Sequence, residues 1–343
     1  MKAFCKTIVI AIAVLSLRVA TADSPGPLFQ GDEPLRVTIT APLSALLRAR
    51  PEAPEFKGVF SYREPSGTPV ELDIQVRARG NFRLRICHFP LLHLNFRKSQ
   101  VEGTLLDHQN KLKMVVHCKD SGRYDQMVLR EYLAYRLLNA LTDLSFRVRL
   151  LQVTYVDSDE RRPRMVRNAF FIEHENRLAD RIGLEAAEIE RTEVSAIRAD
   201  HLNLTSMFQF LIGNTDFSPN LGSEGECCHN HSMFGDGIDT LVAIPYDFDL
   251  AGFVNAPYAT PDPELGIESV RERLYQGHCV NNGYVEGSIA RFNQVRDTLY
   301  ALVAEQQGLE PTVRQSIASY MDEFYAIIGD PREVERQIIG KCI

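Results

Sequence analysis

The period of the apolar residues changes once along the chain, near residue 173, and that change constrains the fold more than any motif does. Before it, Glu71 to Arg79 sets Leu72, Ile74 and Val76 against Asp73, Gln75 and Arg77, the alternation of a strand with one wet face. Leu91 to Phe96, Leu112 to Val116, Val148 to Val156 and Asn168 to Ile172 read as further strands, and two more extended patterns flank a Pro/Ala-rich stretch between Leu35 and Phe60. Gly80-Asn81 and Asp157-Ser158-Asp159-Glu160 mark turns. One helical period interrupts them, with apolar residues at 129, 133, 137, 138 and 141. After Glu173 the spacing predicts helices over Glu185 to Ile197, Leu204 to Leu211, Ile289 to Gln306, Pro311 to Ile327 and Arg332 to Ile339. A hairpin breaks this series: His231 to Phe234, the turn Gly235-Asp236-Gly237, and Leu241 to Tyr246. The expectation is an α+β chain, an antiparallel sheet with one inserted helix followed by a mainly helical part. No regular strand-helix alternation supports a doubly wound sheet.

The first 22 residues stand apart from this pattern. Lys2 and Lys6 precede the apolar run Thr7 to Leu17, and Ala20-Thr21-Ala22 is a small-x-small cleavage site, so residues 1–22 read as a signal peptide. The run is too short to span a bilayer. A secreted or periplasmic protein, with no stable membrane anchor after cleavage, is the expectation. The formal net charge is −7 and becomes more negative without Lys2, Lys6 and Arg18, which argues against nucleic acid as a partner. Of the 7 cysteines, Cys87, Cys118, Cys227, Cys228, Cys279 and Cys342 remain after cleavage. An even number in an exported chain favours disulfides, and the adjacent pair Cys227-Cys228 is expected to reach other partners rather than each other. Asn203-Leu204-Thr205 is a glycosylation sequon.

The densest polar cluster in an apolar setting runs from Asn214 to Asp249. A helix ending at Ile212 releases the chain into Gly213-Asn214-Thr215-Asp216, which places Asp216 where a general base can be positioned. Asn230 opens the hairpin, and the second strand runs into Tyr246-Asp247-Phe248-Asp249. A base, an amide oxygen and carboxylates in this order suit a magnesium-nucleotide phosphoryl transfer site. Asp216 accepts the hydroxyl proton, and Asn230 with Asp247 or Asp249 holds the metal. In the sheet part, Lys113 or Lys111, which share a strand face, pairs with Glu131 on the following helix over the phosphates. Arg77, Arg79, Arg83 and Arg85 around Gly80-Asn81 offer guanidinium groups to phosphate.

Arg77-Ala78-Arg79-Gly80-Asn81, Gly213-Asn214-Thr215-Asp216, His229-Asn230 and Tyr246-Asp247-Phe248-Asp249, in that order, resemble the CotH-type (spore-coat protein H) atypical kinases. More distantly the chain is similar to HipA-type and secretory-pathway kinases. The resemblance spans roughly residues 70 to 255. It implies a two-lobed protein-kinase-like fold: a β-rich N-lobe over 23–173 made of an antiparallel sheet with one helix, a hinge at 174–184, and a helical C-lobe over 185–343. It also implies ATP with Mg²⁺ or Mn²⁺ as cofactors and a protein Ser/Thr hydroxyl as acceptor, with Asp216 catalytic, Asn230 and Asp247 or Asp249 on the metal, and Lys113 with Glu131 as the ion pair. The sequence departs from ordinary kinases in lacking a Gly-x-Gly-x-x-Gly loop and in the long step from Asp216 to Asn230; Asn220 lies nearer the usual spacing.

Two other classes compete. His229 and His231 flank Asn230 near the aspartates, a set that suits a His/Asp metal-dependent hydrolase. A catalytically inactive, disulfide-stapled pseudokinase scaffold or binding protein is the third reading.

Overall fold

The computed structural model of the protein describes residues 26–50, 52–221, 227–235 and 240–343. The signal-peptide segment 1–22 and Asp236-Gly237 of the hairpin turn lie outside the described residues.

Seven strands form a closed barrel: β1 (Leu35–Ala41), β2 (Phe56–Arg63), β3 (Pro69–Arg79), β4 (Leu91–Phe96), β5 (Lys111–Val116), β6 (Val148–Asp157) and β7 (Met165–Ile172). The order around the barrel is β1-β2-β3-β4-β5-β7-β6, and every pair is antiparallel except β1 with β6. That parallel ladder, from Leu35 opposite Leu151 to Ala41 opposite Asp157, joins the two edges and closes the sheet. The expected N-terminal antiparallel sheet of a two-lobed protein-kinase-like fold is therefore corrected to a closed, mixed barrel. The physical reason is non-local. Closure removes both open edges, and it rests on pairing between segments more than a hundred residues apart, which no local period records.

Alternation places Val37, Ile39, Phe60, Leu72, Ile74, Val76, Leu94, Met114, Val153 and Phe171 in the barrel interior, where they form one core. Short helices α1 (Leu43–Arg48), α2 (Phe82–Ile86) and α3 (Lys98–Val101) join the strands, and α4 (Gly122–Leu141) follows β5. A second core lies outside the barrel: Phe170 and Leu150 meet Tyr132, Tyr135 and Leu138 of α4. Phe170 and Phe171, neighbours on β7, are both fully buried and belong to different cores, so the second half of this strand, Ala169 to Ile172, has no wet face.

The rest of the second core comes from α6 (Ala199–Ile212), α7 (Val285–Glu305) and α8 (Pro311–Ile328), with α9 (Pro331–Gln337) at the end of the chain. Segment 174–184, read as a hinge, contains the amphipathic helix α5 (Glu175–Ile182) closed by Gly183. Glu185 to Ile197, expected as a helix, is instead strand β8 (Glu185–Ala187) and a 3-10 turn over Val194–Ala196. Strand β8 pairs with the hairpin strand β9 (His231–Gly235), where tertiary pairing outweighs the helical propensity of Glu and Ala. The hairpin's other strand is β10 (Val242–Pro245).

The sulfur atoms of Cys87 and Cys118, and those of Cys279 and Cys342, lie within bonding distance. So do those of Cys227 and Cys228, which pair with each other rather than with distant partners as the sequence suggested. Asn203 of the sequon is 1% exposed and hydrogen-bonded to Ser288 Oγ and Tyr275 Oη, leaving no room for a glycan in the folded chain. No described helix is long and apolar enough to cross a membrane.

Candidate active site

α6 is buried on nearly all sides and ends at Gly213, whose φ of 60° is the left-handed conformation of a helix C-terminus. A Cβ there would collide with the hydroxyl of Tyr320, so glycine is required twice over. Asn214 N–H then bonds back to the Gln209 carbonyl, and Asn214 Oδ1 accepts from Asp216 N–H at 3.1 Å. Asp216 is thus fixed one turn beyond a rigid helix.

The hairpin delivers the other residues. His231 pairs with Pro245 at the open end of β9 and β10, so Asn230 and Tyr246 leave the ladder side by side, joined by a bond from Tyr246 N–H to the Asn230 carbonyl at 3.0 Å. Asn230 (φ 54°) and Asp247 (φ 61°) both adopt left-handed backbone that a side chain disfavours. Such conformations persist only where surrounding contacts hold them, and they concentrate at working sites. The hydroxyl oxygen of Tyr135, on α4, accepts from Asp247 N–H at 2.9 Å and fixes one of them.

Asp216 sits between two side chains of the hairpin entrance. Asn230 Nδ2 donates to its carbonyl oxygen at 2.7 Å and to its Oδ2 at 3.0 Å. His229 Nε2 lies 2.8 Å from Oδ1, and that hydrogen bond holds the imidazole pKa above its ordinary value. Burial, then the neighbouring Asp249 and, more weakly, Asp216, push the Asp247 carboxyl up to about 6, against the pull of Arg83 and Arg79.

Asp249 is fully enclosed. Its Oδ2 accepts from Arg83 Nε at 2.8 Å and from Tyr258 Oη at 2.8 Å. Arg83, from α2, also donates through Nη2 to Glu131 Oε2 at 2.7 Å, with the guanidinium side chain 4% exposed. Burial raises the Glu131 carboxyl above its usual range in spite of Arg83.

The expected lysine partner of Glu131 is thus replaced by Arg83. Lys113 Nζ lies 3.6 Å from Glu175 Oε1 of α5 and over the ring of Tyr246, next to Asp247, while Lys111 is exposed further out on β5. Arg79, whose Nε donates to the Leu92 carbonyl at 3.1 Å, presents its charge to Asp247. Arg83 is one of the four arginines around Gly80-Asn81; as the second residue of α2 it faces inward and is buried, whereas Arg85 on the same helix is exposed. Tyr258 carried no sequence signal. His231, grouped with His229 as a possible metal pair, turns into the core against Phe217, at a ring separation of 5.7 Å. Asn220, the alternative metal amide, accepts a long bond from Ser218 Oγ at 3.4 Å on the loop side of the His229 bridge.

No protein-family model and no curated protein matches the chain.

Proposed function

We propose that the protein transfers the γ-phosphoryl group of ATP to a hydroxyl group of a protein substrate, acting as an exported enzyme. The acceptor hydroxyl gives its proton to Asp216 Oδ2 as its oxygen forms the bond to the γ-phosphorus. The bond from that phosphorus to the bridging oxygen breaks, and ADP leaves with the electron pair. One observation carries the reading: Asp216, Asn230 and Asp247, from a helix end and both ends of a hairpin, meet in one polar cluster with two of the three in left-handed backbone.

The donor set fits a hard divalent cation such as Mg²⁺ or Mn²⁺. Asn230 uses its amide nitrogen on Asp216, which leaves Oδ1 for a cation, and Asp247 has a carboxyl crowded by other acids. Asp249 Oδ2 is already occupied by Arg83 and Tyr258, so Asp247 is the better of the two candidates. No group of three or more His, Cys, Asp or Glu among the described residues forms a metal cage. Magnesium commonly takes one or two carboxylates and completes its shell with phosphate oxygens and water. The cation supplies neutralisation of phosphate charge when bound. Arg79 and Lys113, beside Asp247 and Tyr246, supply fixed positive charge on the barrel side. The resemblance to CotH-type kinases implies the same activity, here on a barrel scaffold.

Thermal unfolding with added ligands tests the proposal. Mg-ATP at saturating concentration should raise the unfolding temperature of the wild type, and Asp247→Ala should abolish that rise. A rise with zinc alone and none with Mg-ATP would favour a metal hydrolase, and no rise with any of them would favour a scaffold.

A further inference from the structure

A second polar concavity lies on the barrel and shares no residue with the acid cluster. Val37, Phe60 and Val153 point into the barrel, so Arg36, Thr38, Ser61, Arg63, Gln152 and Thr154 point out of it. The register aligns them across β2, β1 and β6. Thr38 pairs with Ser61 on one side and Thr154 on the other, which makes a row of hydroxyls, and Arg36 pairs with Gln152 one step along the same face. These six line a cleft of about 1100 Å³.

Arg149, at the start of β6, lines the same cleft. It is 8% exposed, and its Nε has no hydrogen-bond partner. Burial pulls its pKa down, although the nearby Tyr132, Asp32 and Glu33 hold it up. Like the enclosed Arg83 and Arg273, it keeps one nitrogen without a partner, a donor with capacity for a ligand. Gly31 packs directly on Arg149, where a Cβ would strike Nη1.

We propose that this cleft binds an acidic saccharide. Hydroxyl side chains repeated across adjacent strands give paired donors and acceptors for ring hydroxyls. Arginine forms planar, bidentate bonds to a carboxylate; Arg36 and Arg63 stand on the face of the hydroxyl row, and Arg149 lines the same cleft. The volume accommodates a disaccharide. Glu33 and Glu71 also line the cleft and leave it only mildly positive, which disfavours extended polyanions and favours a ligand with one acid group per unit.

Calorimetric titration of the full chain tests this with digalacturonic acid, neutral galactobiose and inorganic phosphate as probes. Digalacturonic acid should bind saturably, with galactobiose weaker by roughly ten-fold or more. Thr38→Val with Thr154→Val, and separately Arg36→Ala, should each weaken digalacturonic acid by roughly ten-fold, since each removes groups that the ligand pairs with. These are outward-facing strand positions, and folding is verified by unchanged thermal unfolding. No saturable binding of digalacturonic acid, equal binding of galactobiose, competition by phosphate at equal concentration, or unchanged binding by both variants overturns the assignment.

Discussion

Asn230 donates from one amide nitrogen to both the backbone carbonyl and the carboxylate of Asp216, at 2.7 and 3.0 Å. The bidentate contact ties the hairpin entrance to the end of α6 and orients the carboxylate whose neighbour on the other side is His229. Asn230→Ala therefore removes the positioning contact and an oxygen available to a cation. Phosphotransferase activity should fall by roughly 100-fold, with nucleotide affinity reduced as well, checked by steady-state kinetics and titration with Mg-ATP.

Arg83 links Asp249 and Glu131 in a buried network that also includes Tyr258. Arg83→Met leaves two enclosed carboxylates facing each other without a counter-charge. A loss of roughly 3 to 5 kcal/mol in unfolding free energy is expected from denaturant titration. Arg83→Lys retains charge without the fork that reaches both acids, and should lie between the two.

Reduction of the cysteines should destabilise the chain. Cys87 and Cys118 are 31 residues apart and tie the end of α2 to the segment after β5; Cys279 and Cys342 are 63 apart and anchor the C-terminus to the turn before α7. Removing either pair by Cys→Ala should cost roughly 2 to 4 kcal/mol, read from the urea midpoint with and without reductant. An unchanged midpoint would mean that the sulfurs are not bonded.

His201 and His231 are both buried, and burial lowers each to about 4 from the ordinary value of 6.5. In the unfolded chain both take up a proton near pH 6.5, whereas in the folded chain they do so only near 4. Between those values the unfolded state binds more protons, so stability is full above about 6.5 and declines as the pH falls toward 4. A decrease of at least about 1 kcal/mol per pH unit between 6 and 5 is expected from denaturant midpoints. A flat profile across this range would show that the two imidazoles are hydrated in the folded state.

Local periods made several elements legible in the sequence. The alternation of Leu72, Ile74 and Val76 gave β3, and the apolar stripe of Leu129, Leu133 and Leu138 gave α4. The helix ending at Gly213 and the hairpin beginning at His231 were also visible, because glycine and alternation leave local marks. Closure of the barrel was not, since Leu35 and Leu151 carry nothing that announces their pairing. Glu185 to Ala187 misled for the opposite reason: good helix formers serve there as an edge strand on the hairpin. In the candidate site, Asp216, Asn230 and Asp247 or Asp249 stand out in the sequence through their order alone. Arg83 was passed over in favour of Lys113, because the choice depends on which side of α2 faces the core and only the packing of Glu131 and Asp249 decides it.

Asp216 is the proton acceptor of the proposed phosphoryl transfer. Incubating the oxidised chain with ATP labelled at the γ-phosphate and Mg²⁺ or Mn²⁺, with and without a protein acceptor such as casein, measures this directly. Label should become attached to protein with the wild type, and Asp216→Asn should reduce incorporation by at least roughly 100-fold while Mg-ATP still raises its unfolding temperature. Equal incorporation by Asp216→Asn, or none by a wild type that binds Mg-ATP, would contradict it.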